Sequence, residues 1–162
     1  MHAILYRILG SNQDIEDLLQ ETFLEVFRAL PRFRGESQLG TWISCICSRV
    51  AFNYIKKRKP KPEPLDEARH LPVAAPGSDD IVDSRAAAVR LYVALSKIET
   101  KQRIAFALHV IDGRSMQKVA DMTESTLVAT KSRVLRARKR IAKLATRDPY
   151  LARYLSEQEQ TP

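Results

Sequence analysis

The stretch TLVATKSRVLRARKRIAKLATR, residues 126–147, decides how the second half of the chain folds. Its apolar positions recur at alternating spacings of three and four residues, which is the period of an α-helix with one core-facing side. That stripe consists of Leu127, Thr130, Val134, Ala137, Ile141 and Leu144. The other positions carry eight lysines and arginines and no acid. Such a helix can pack against a core while it offers a ladder of cations to a polyanion, of which nucleic acid is the obvious candidate.

A short helix and a tight turn are predicted immediately before this basic helix. Ser115 can cap the short helix and Thr126 the basic one, with residues 123–125 as the turn between them. A short helix, a turn and a cationic second helix form the pattern of a helix-turn-helix, whose second helix enters the major groove of DNA. The alternative is a solvated basic helix in a helical bundle, but the absence of acids over residues 126–147 favours DNA binding.

Side chains near the start of the basic helix are predicted to contact duplex DNA. The predicted exposed face consists of Ala129, Ser132, Arg133 and Arg136. Arg133 and Arg136 can form bidentate contacts to guanine, each worth roughly 1–3 kcal/mol of discrimination. Thr126 and Lys131 suit phosphate oxygens, which position the protein without reading sequence.

The length, composition and net charge of the chain limit the classes of protein to which it can belong. Its 162 residues allow one ordinary domain or two small ones, and 44% hydrophobic residues are enough for packed cores. A net charge of +8 favours an acidic partner, either nucleic acid or an anionic membrane surface. No apolar run approaches the ~20 residues of a membrane span, and the N-terminus lacks a signal-peptide cleavage region. Cys45 and Cys47 are too close along a helix for a relaxed disulfide, so we expect reduced thiols and a cytoplasmic protein without direct membrane insertion.

The first half of the chain contains an acidic helix followed by a basic one. Apolar residues recur every three or four positions from Ile15 to Leu30, and acids outnumber bases in residues 1–30. A second helix is predicted for residues 39–59, after a loop around Gly35, and here bases outnumber acids. Opposite charges on adjacent helices indicate two different partners.

Between the two halves, residues 60–83 are rich in proline and have no sustained period, so we predict a linker. A linker of this length is unusual inside a compact domain and favours two domains. No stretch of the sequence alternates between apolar and polar residues as a β-strand would. We therefore predict an all-α chain of two small helical domains joined by a flexible linker. The predicted units are residues 1–59, the linker 60–83, the helix-turn-helix domain 84–147 and a C-terminal tail 148–162.

Several motifs in order resemble one known family. DIEDLLQETF at residues 14–23, FRGES at 33–37 and TWI at 41–43 are similar to region 2 of bacterial sigma factors of the extracytoplasmic-function (ECF) group. KSRVLRAR at residues 131–138 resembles the end of their region 4. The resemblance implies a transcription initiation factor that binds core RNA polymerase and recognises the −10 and −35 elements of promoter DNA. It also implies an anti-sigma factor as a regulatory partner.

The resemblance implies roles for individual side chains. Polymerase binding, at the β′ clamp helices, is carried by Asp14, Asp17, Gln20 and Glu21. Capture of a flipped −10 base is carried by Phe33, Arg34, Glu36 and Ser37. Contact with the −10 non-template strand is carried by Arg49, Phe52, Asn53 and Lys56, whose cations and aromatic ring suit single-stranded DNA. Recognition of the −35 element falls to the six residues of the basic helix named above.

The sequence departs from the family's pattern at several positions. Arg49 stands where the family often has Asn, and Asn53 where it often has Asp, so the −10 base preference does not transfer. Glu124 replaces the usual glycine of the turn, a change expected to loosen the helix-turn-helix, and Glu99 sits where a proline commonly starts a helix. Trp42 lies near the family's melting region, but its place on an apolar helix face favours the core.

The sequence contains no constellation typical of an enzyme. Its three histidines are scattered, Cys45 and Cys47 lack a second pair of ligands, and there is no glycine-rich phosphate loop. We predict a non-enzyme without cofactor or metal. Two alternatives to a sigma factor remain: a stand-alone, dimeric helix-turn-helix regulator, and a module that only sequesters a helical partner. The acidic helix and the proline-rich linker favour the sigma factor over both.

Overall fold

The computed structural model describes residues 1–58, 78–146 and 148, with the backbone alone for residues 78–85. Every regular element in these ranges is helical, which confirms the predicted all-α class. The helices are α1 (His2–Leu9), α2 (Ile15–Ala29), α3 (Leu39–Lys57), α4 (Ser78–Ser96), α5 (Thr100–Phe106), α6 (Met116–Met122) and α7 (Leu127–Ala145). A short 3-10 helix (Leu30–Arg32) extends α2, and a π turn (Ala107–Ile111) extends α5.

Most of the predicted linker and tail lies outside the described residues, namely residues 60–77 and 149–162 together with Arg147. Helix α4 begins at Ser78, so residues 78–83, which the sequence pattern assigned to the linker, are helical. The sequence there opens with serine and two aspartates, the residue types that favour the first turn of a helix. The second helical unit therefore starts before the predicted residue 84.

Helix α1 ends at Gly10, where the packing of α4 leaves no room for a side chain. Leu5 and Ile8 are fully buried on its inner face. Gly10 adopts a left-handed conformation with φ 76°, and its N–H donates to the carbonyl of Tyr6 at 2.7 Å. A Cβ at this position would collide with the ring of Tyr92 on α4. Both the backbone conformation and the close approach therefore exclude a larger residue.

Helix α2 is covered over only part of its length. Ile15 and Leu18 are buried, and so is Thr22, whose hydroxyl donates to the Leu18 carbonyl at 2.6 Å. Farther along, Phe23 is 48% exposed and Phe27 is 67% exposed, although the apolar period predicted a continuous face. The period identifies a face, but the positions of the neighbouring helices decide how much of it is covered. Helix α1, with 8 residues, is shorter than α2, with 15.

The second unit, α4 to α7, has a core of its own. Phe106 of α5 is 1% exposed and packs with the last turns of α4 and the second half of α7. The residues of this cluster are Leu91, Ala94, Leu95, Phe106, Ala137, Ile141 and Ala145. The first half of α7 instead faces a second, larger cluster.

That larger cluster joins the two helical units. It contains Leu5 and Val50 from the first unit and Leu108, Val119 and Met122 from the second. Helix α1 packs on the π turn, and α3 packs on both α5 and α6. The described residues therefore form one packed body, in which the DNA-binding candidates of both halves share a boundary.

Polar contacts reinforce this boundary at the end of α1. The guanidinium of Arg103 on α5 donates to the carbonyls of Ile8 and Leu9 at 3.1 and 3.0 Å. The hydroxyl of Tyr92 donates to the carbonyl of Arg7 at 2.8 Å. The last carbonyls of a helix have no partner within the helix, so the second unit satisfies groups that α1 cannot satisfy itself.

Candidate nucleic-acid interface

The helix-turn-helix forms with the predicted caps. The hydroxyl of Ser115 accepts from the N–H of Lys118 at 3.2 Å at the start of α6, and that of Thr126 accepts from the N–H of Ala129 at 3.1 Å at the start of α7. Glu124, in the turn between them, has φ 47°, a left-handed conformation that costs a non-glycine residue about 1–2 kcal/mol. The turn thus keeps its left-handed bend without the glycine that the family usually has.

Helix α7 buries the predicted stripe and exposes its cations. Thr130, Val134, Ala137 and Ile141 are buried, whereas Leu127 and Leu144 at the two ends are half-buried. The exposed cations are Lys131, Arg136, Arg138, Lys139, Arg140 and Lys143. A buried apolar face and an exposed cationic face are what a helix needs to lie in a groove of DNA.

The six residues predicted for duplex DNA differ in their exposure. Thr126, Lys131 and Arg136 are exposed, and Ala129, Ser132 and Arg133 are half-buried. The guanidinium of Arg133 donates to the hydroxyl of Ser125 in the turn at 2.8 Å, so it lies at the edge of the predicted face. Arg136, one turn farther along, is the more exposed of the two arginines.

A cationic groove runs between α7 and the connection from α4 to α5. Its lining residues are Lys97, Ile98, Glu99, Gln102, Arg136, Lys139, Arg140 and Lys143. The carboxylate of Glu99 accepts from the N–H of Lys101 at 3.2 Å and caps α5, which explains why an acid is tolerated where the family has proline. The sequence pattern of α7 could not identify Lys97, because Lys97 lies in the connection between α4 and α5. The groove extends the cationic surface on which phosphates can bind.

The four residues predicted to bind polymerase lie on α2 and just before it. Asp17, Gln20 and Glu21 are exposed on the helix surface. Asp14 is half-buried, and its carboxylate accepts from the hydroxyl of Tyr54 and from the guanidinium of Arg58, the latter at 3.0 Å. Asp14 therefore ties the start of α2 to the end of α3, whereas the other three are open to a partner.

The predicted base-capture loop stands open. Arg34, Glu36 and Ser37 are exposed, and Gly35 has φ 73°. Phe33 is half-buried against the indole of Trp42, with ring centroids 4.9 Å apart. Trp42 is half-buried as well, so it supports the loop and does not lie fully inside the core as predicted.

Of the four residues of α3 predicted for the non-template strand, Arg49 and Phe52 lie where α3 meets the second unit. Asn53 and Lys56 are exposed, Phe52 is half-buried, and the guanidinium of Arg49 pairs with the carboxylate of Glu124. Residues of both units line the cleft formed there, which we name the interdomain cleft. They are Cys45, Ser48, Arg49, Phe52, Lys101, Ile104, Met122, Thr123, Glu124 and Arg133.

Both cysteines are free thiols. Burial raises the pKa of Cys47 to about 11, and burial together with the carboxylate of Glu124 raises the pKa of Cys45. Neither thiol is therefore activated as a nucleophile. Within residues 1–58, 78–146 and 148, no three side chains of the metal-binding types cluster. None of the helices in those ranges combines the length and the hydropathy that a bilayer crossing requires.

Two family models match the chain in the expected order. Sigma-70 region 2 matches residues 1–61, and Sigma-70 region 4 matches residues 88–141. The first covers the acidic helix, the loop and α3, and the second covers the helix-turn-helix. The chain belongs to the Sigma-70 family of sigma factors. This family consists of non-catalytic initiation factors that direct RNA polymerase to promoters.

Curated relatives agree with this assignment. The chain is 28% identical over 166 residues to the ECF RNA polymerase sigma factor SigE of Mycolicibacterium smegmatis, in a match that covers 99% of this chain and 61% of that protein. It is 26% identical over 149 residues to the ECF RNA polymerase sigma-E factor of Haemophilus influenzae, covering 86% of this chain and 78% of that protein. The chain thus spans less than two thirds of the length of the mycobacterial relative.

Solved structures share the fold of this sigma factor. The Bartonella quintana sigma factor RpoE, solved with the anti-sigma factor NepR, matches with a TM-score of 0.60 at 24% identity, over 91% of this chain and 90% of that one. CnrH, solved with the cytosolic domain of CnrY, matches with a TM-score of 0.63 at 22% identity, over 91% and 81%.

Proposed function

We propose that this chain binds core RNA polymerase and directs it to specific promoters through their −10 and −35 elements. The observation that carries the proposal is the presence, in family order, of an exposed acidic helix and an exposed basic helix on one small body. The polymerase would supply the chemistry of RNA synthesis, so we infer no enzymatic activity and no cofactor for this chain. Its place of action would then be the cytoplasm, where the polymerase and the promoter DNA are.

Polymerase docking is assigned to α2. Asp17, Gln20 and Glu21 offer an acidic surface that DNA would repel, so its complement is a basic protein surface, here the β′ clamp helices. The exposed rings of Phe23 and Phe27 lie on the same helix and add apolar area that a protein partner can bury. Asp14 contributes by fixing the end of α3 against the start of α2.

Recognition of the −10 element is assigned to the loop and α3. Extraction of a base costs a few kcal/mol, which stacking and edge contacts in a pocket can offset. Phe33 offers a ring at the edge of the loop, and Arg34, Glu36 and Ser37 offer exposed polar groups around it. Farther along α3, Arg49, Phe52, Asn53 and Lys56 supply cations, an amide and a ring for the non-template strand.

Recognition of the −35 element is assigned to the start of α7. Arg136 has the exposure needed to read a guanine edge, and Arg133 can join it if its guanidinium leaves Ser125. Lys131 and Thr126 suit phosphates, while Ala129 and Ser132 are small enough to let the helix approach the groove. The cationic groove beyond them would hold the DNA backbone.

An anti-sigma factor is the regulatory partner that we propose. The Bartonella quintana sigma factor RpoE was solved with the anti-sigma factor NepR, and CnrH was solved with the cytosolic domain of CnrY. A partner of this kind would compete for the acidic face of α2 or hold the two helical units together.

Transcription in vitro tests the proposed function directly. Core polymerase, purified chain and a genomic fragment library should together yield RNA with defined start sites, whereas either protein alone should yield none. Start sites that share two spaced sequence elements would support the assignment of two DNA-binding surfaces. If the polymerase ignores the chain, and the chain alone binds duplex DNA tightly as a dimer, the stand-alone regulator would replace this proposal.

A further inference from the structure

The most exposed large apolar side chain in the described part of the chain belongs to Val128. It is 77% exposed and lies in the first turn of α7, where the N-cap contact of Thr126 fixes the backbone. A valine at an exposed helix position lowers helix stability relative to alanine, because its β-branched side chain loses χ1 freedom. A single exposed valine is nevertheless ordinary on a protein surface. Its position on the helix therefore decides whether it has a role.

Val128 lies on the line of α7 that faces away from the core. Successive residues of an α-helix are turned by ~100°, so side chains four and seven positions apart share a face. The buried side of α7 includes Thr130, Val134, Ala137 and Ile141. The line opposite to it consists of Val128, Ser132, Leu135 and Lys139. The face predicted from the sequence is turned toward Arg133, which is half-buried and bound to Ser125. The helix therefore presents Val128 to a groove more directly than it presents Arg133.

Two apolar side chains occupy this outward line, but they lie at different depths along the helix. Val128 is the second residue of α7, whereas Leu135, 54% exposed, lies about 10 Å farther along the axis. In a helix-turn-helix the N-terminal residues of the second helix contact the base edges. Val128 is therefore the apolar side chain that we expect at the base edges of the major groove.

The major groove offers an apolar side chain one kind of apolar partner. Adenine, guanine and cytosine present hydrogen-bond donors and acceptors there, and thymine alone adds a methyl group, at C5. The charge around Val128 favours DNA over an apolar protein surface, because Lys131 is exposed one turn away and no acid occurs in residues 126–147. Valine also has one strongly preferred χ1 rotamer in a helix, so its contact with a methyl group costs little side-chain entropy.

We propose that Val128 reads a thymine in the −35 element, through van der Waals contact between its methyl groups and the C5-methyl group of the base. The inference rests on the proposed function, because it names a base that the helix-turn-helix recognises. Cations such as Lys131 hold the phosphates, and Val128 supplies discrimination between thymine and a base without a methyl group. Val128 is thus a specificity-determining residue in addition to the six that the sequence assigned to the −35 element.

Replacement of thymine by deoxyuridine tests the contact directly. Deoxyuridine lacks only the C5-methyl group and keeps every hydrogen-bonding group of thymine. The probe is a labelled duplex of a promoter mapped by the transcription assay, in which each thymine of the −35 element, on either strand, is replaced in turn. The affinity of the chain together with core polymerase for each duplex is measured by fluorescence anisotropy, for the wild type and for Val128→Ala.

At one thymine, the replacement should lower the affinity of the wild type about fourfold, the factor expected for loss of one buried methyl group. Val128→Ala should bind the thymine duplex about as weakly as the wild type binds the deoxyuridine duplex, and should lose nothing more when deoxyuridine is present. Val93→Ala is the matched control, because Val93 is a 42% exposed valine on α4. Both Val93→Ala and Leu135→Ala should keep the fourfold discrimination at that thymine.

Two results would overturn the role of Val128. The first is a wild-type affinity that no deoxyuridine replacement changes, or a −35 element without any A·T pair. The second is a sensitive thymine whose discrimination survives in Val128→Ala, because another side chain would then read the methyl group. Failure of the proposed function is distinct from both, since wild-type chain and core polymerase would then yield no promoter-dependent RNA. If RNA is made while Val128→Ala behaves like Val93→Ala, the sigma-factor function stands and the thymine contact does not.

Discussion

Helices α2 and α7 are both amphipathic and each exposes mainly charge of one sign, yet they differ in what covers their apolar faces. In α7 the stripe is covered along its length: Val134, 2% exposed, packs in the larger cluster that joins the two units, and Ile141, fully buried, packs in the core of its own unit. In α2 the rings of Phe23 and Phe27 remain in water. Outside its covered stripe, α7 exposes six cations beside the aliphatic side chains of Val128 and Leu135, and this excess of positive charge suits DNA. A helix with uncovered rings beside acids suits a protein surface.

The largest expected effect is on the free energy of unfolding, when a ring that supports α7 and a ring of α2 are truncated in turn. Phe106→Ala removes a fully buried ring that supports α7 and should lower the free energy of unfolding by about 3–5 kcal/mol. Phe27→Ala removes an exposed ring of α2 and should change it by no more than ~0.5 kcal/mol. Urea denaturation of both variants checks this. Equal losses would mean that the outer part of α2 is covered in solution.

Charge reversal on α2 separates docking from folding. Replacing Asp17 and Glu21 with lysine should weaken binding to core polymerase by more than about tenfold, because the reversed charges would face a basic surface. The urea midpoint should stay unchanged, since both side chains are exposed. Co-purification with core polymerase and a binding titration give the measurement, with Glu25→Lys as the control. Undiminished association would remove the polymerase-binding role from this face.

On α7, paired arginine substitutions distinguish sequence reading from backbone binding. Arg136→Ala should reduce affinity for promoter duplexes by about 1–3 kcal/mol and leave random duplexes less affected. Arg138→Ala removes an exposed cation away from the predicted reading face. It should lower the affinity for all duplexes alike and reduce the number of counterions released on binding by about one. Titrations at several salt concentrations test this. If Arg136→Ala lowers every affinity equally, Arg136 binds phosphate only.

The smallest effect concerns the start of α7. Thr126→Ala removes the hydroxyl that accepts from the Ala129 N–H and should lower the free energy of unfolding by about 1 kcal/mol. Thr146→Ala at the other end, where the hydroxyl is exposed, should change it by less than ~0.5 kcal/mol. Thermal and urea denaturation measure both. A loss at Thr146 equal to that at Thr126 would show that the cap does not set the stability of this helix.

Sequence periodicity predicted the parts of the molecule that depend on near neighbours in the chain. The stripe of α7, the caps at Ser115 and Thr126, and the all-α class are local properties of spacing and residue type. The family motifs at residues 14–23 and 131–138 likewise predicted the order of the two helical units. Such signals are reliable because side chains three or four residues apart share a helix face whatever surrounds the helix.

The features that could not be predicted all depend on contacts between distant residues. Arg49 and Glu124 each appeared as an isolated departure from the family's pattern, and only the fold shows that they pair. Asp14 seemed free to meet a partner, but Tyr54 and Arg58 engage it. The exposure of Phe27 could not be predicted either, because a periodic pattern does not show how far the neighbouring helices cover the apolar face.

The collision that any side chain at Gly10 would make with Tyr92 limits how freely the halves of such proteins can be exchanged. A hybrid that joins this first half to the second half of a relative must keep an aromatic ring at the position of Tyr92, or leave a hole beside the glycine. Conversely, a hybrid that joins the first half of a relative to this second half needs a glycine at the position of Gly10, because the ring of Tyr92 occupies the space of a side chain there. The contact between Gly10 and Tyr92 therefore constrains recombination between relatives.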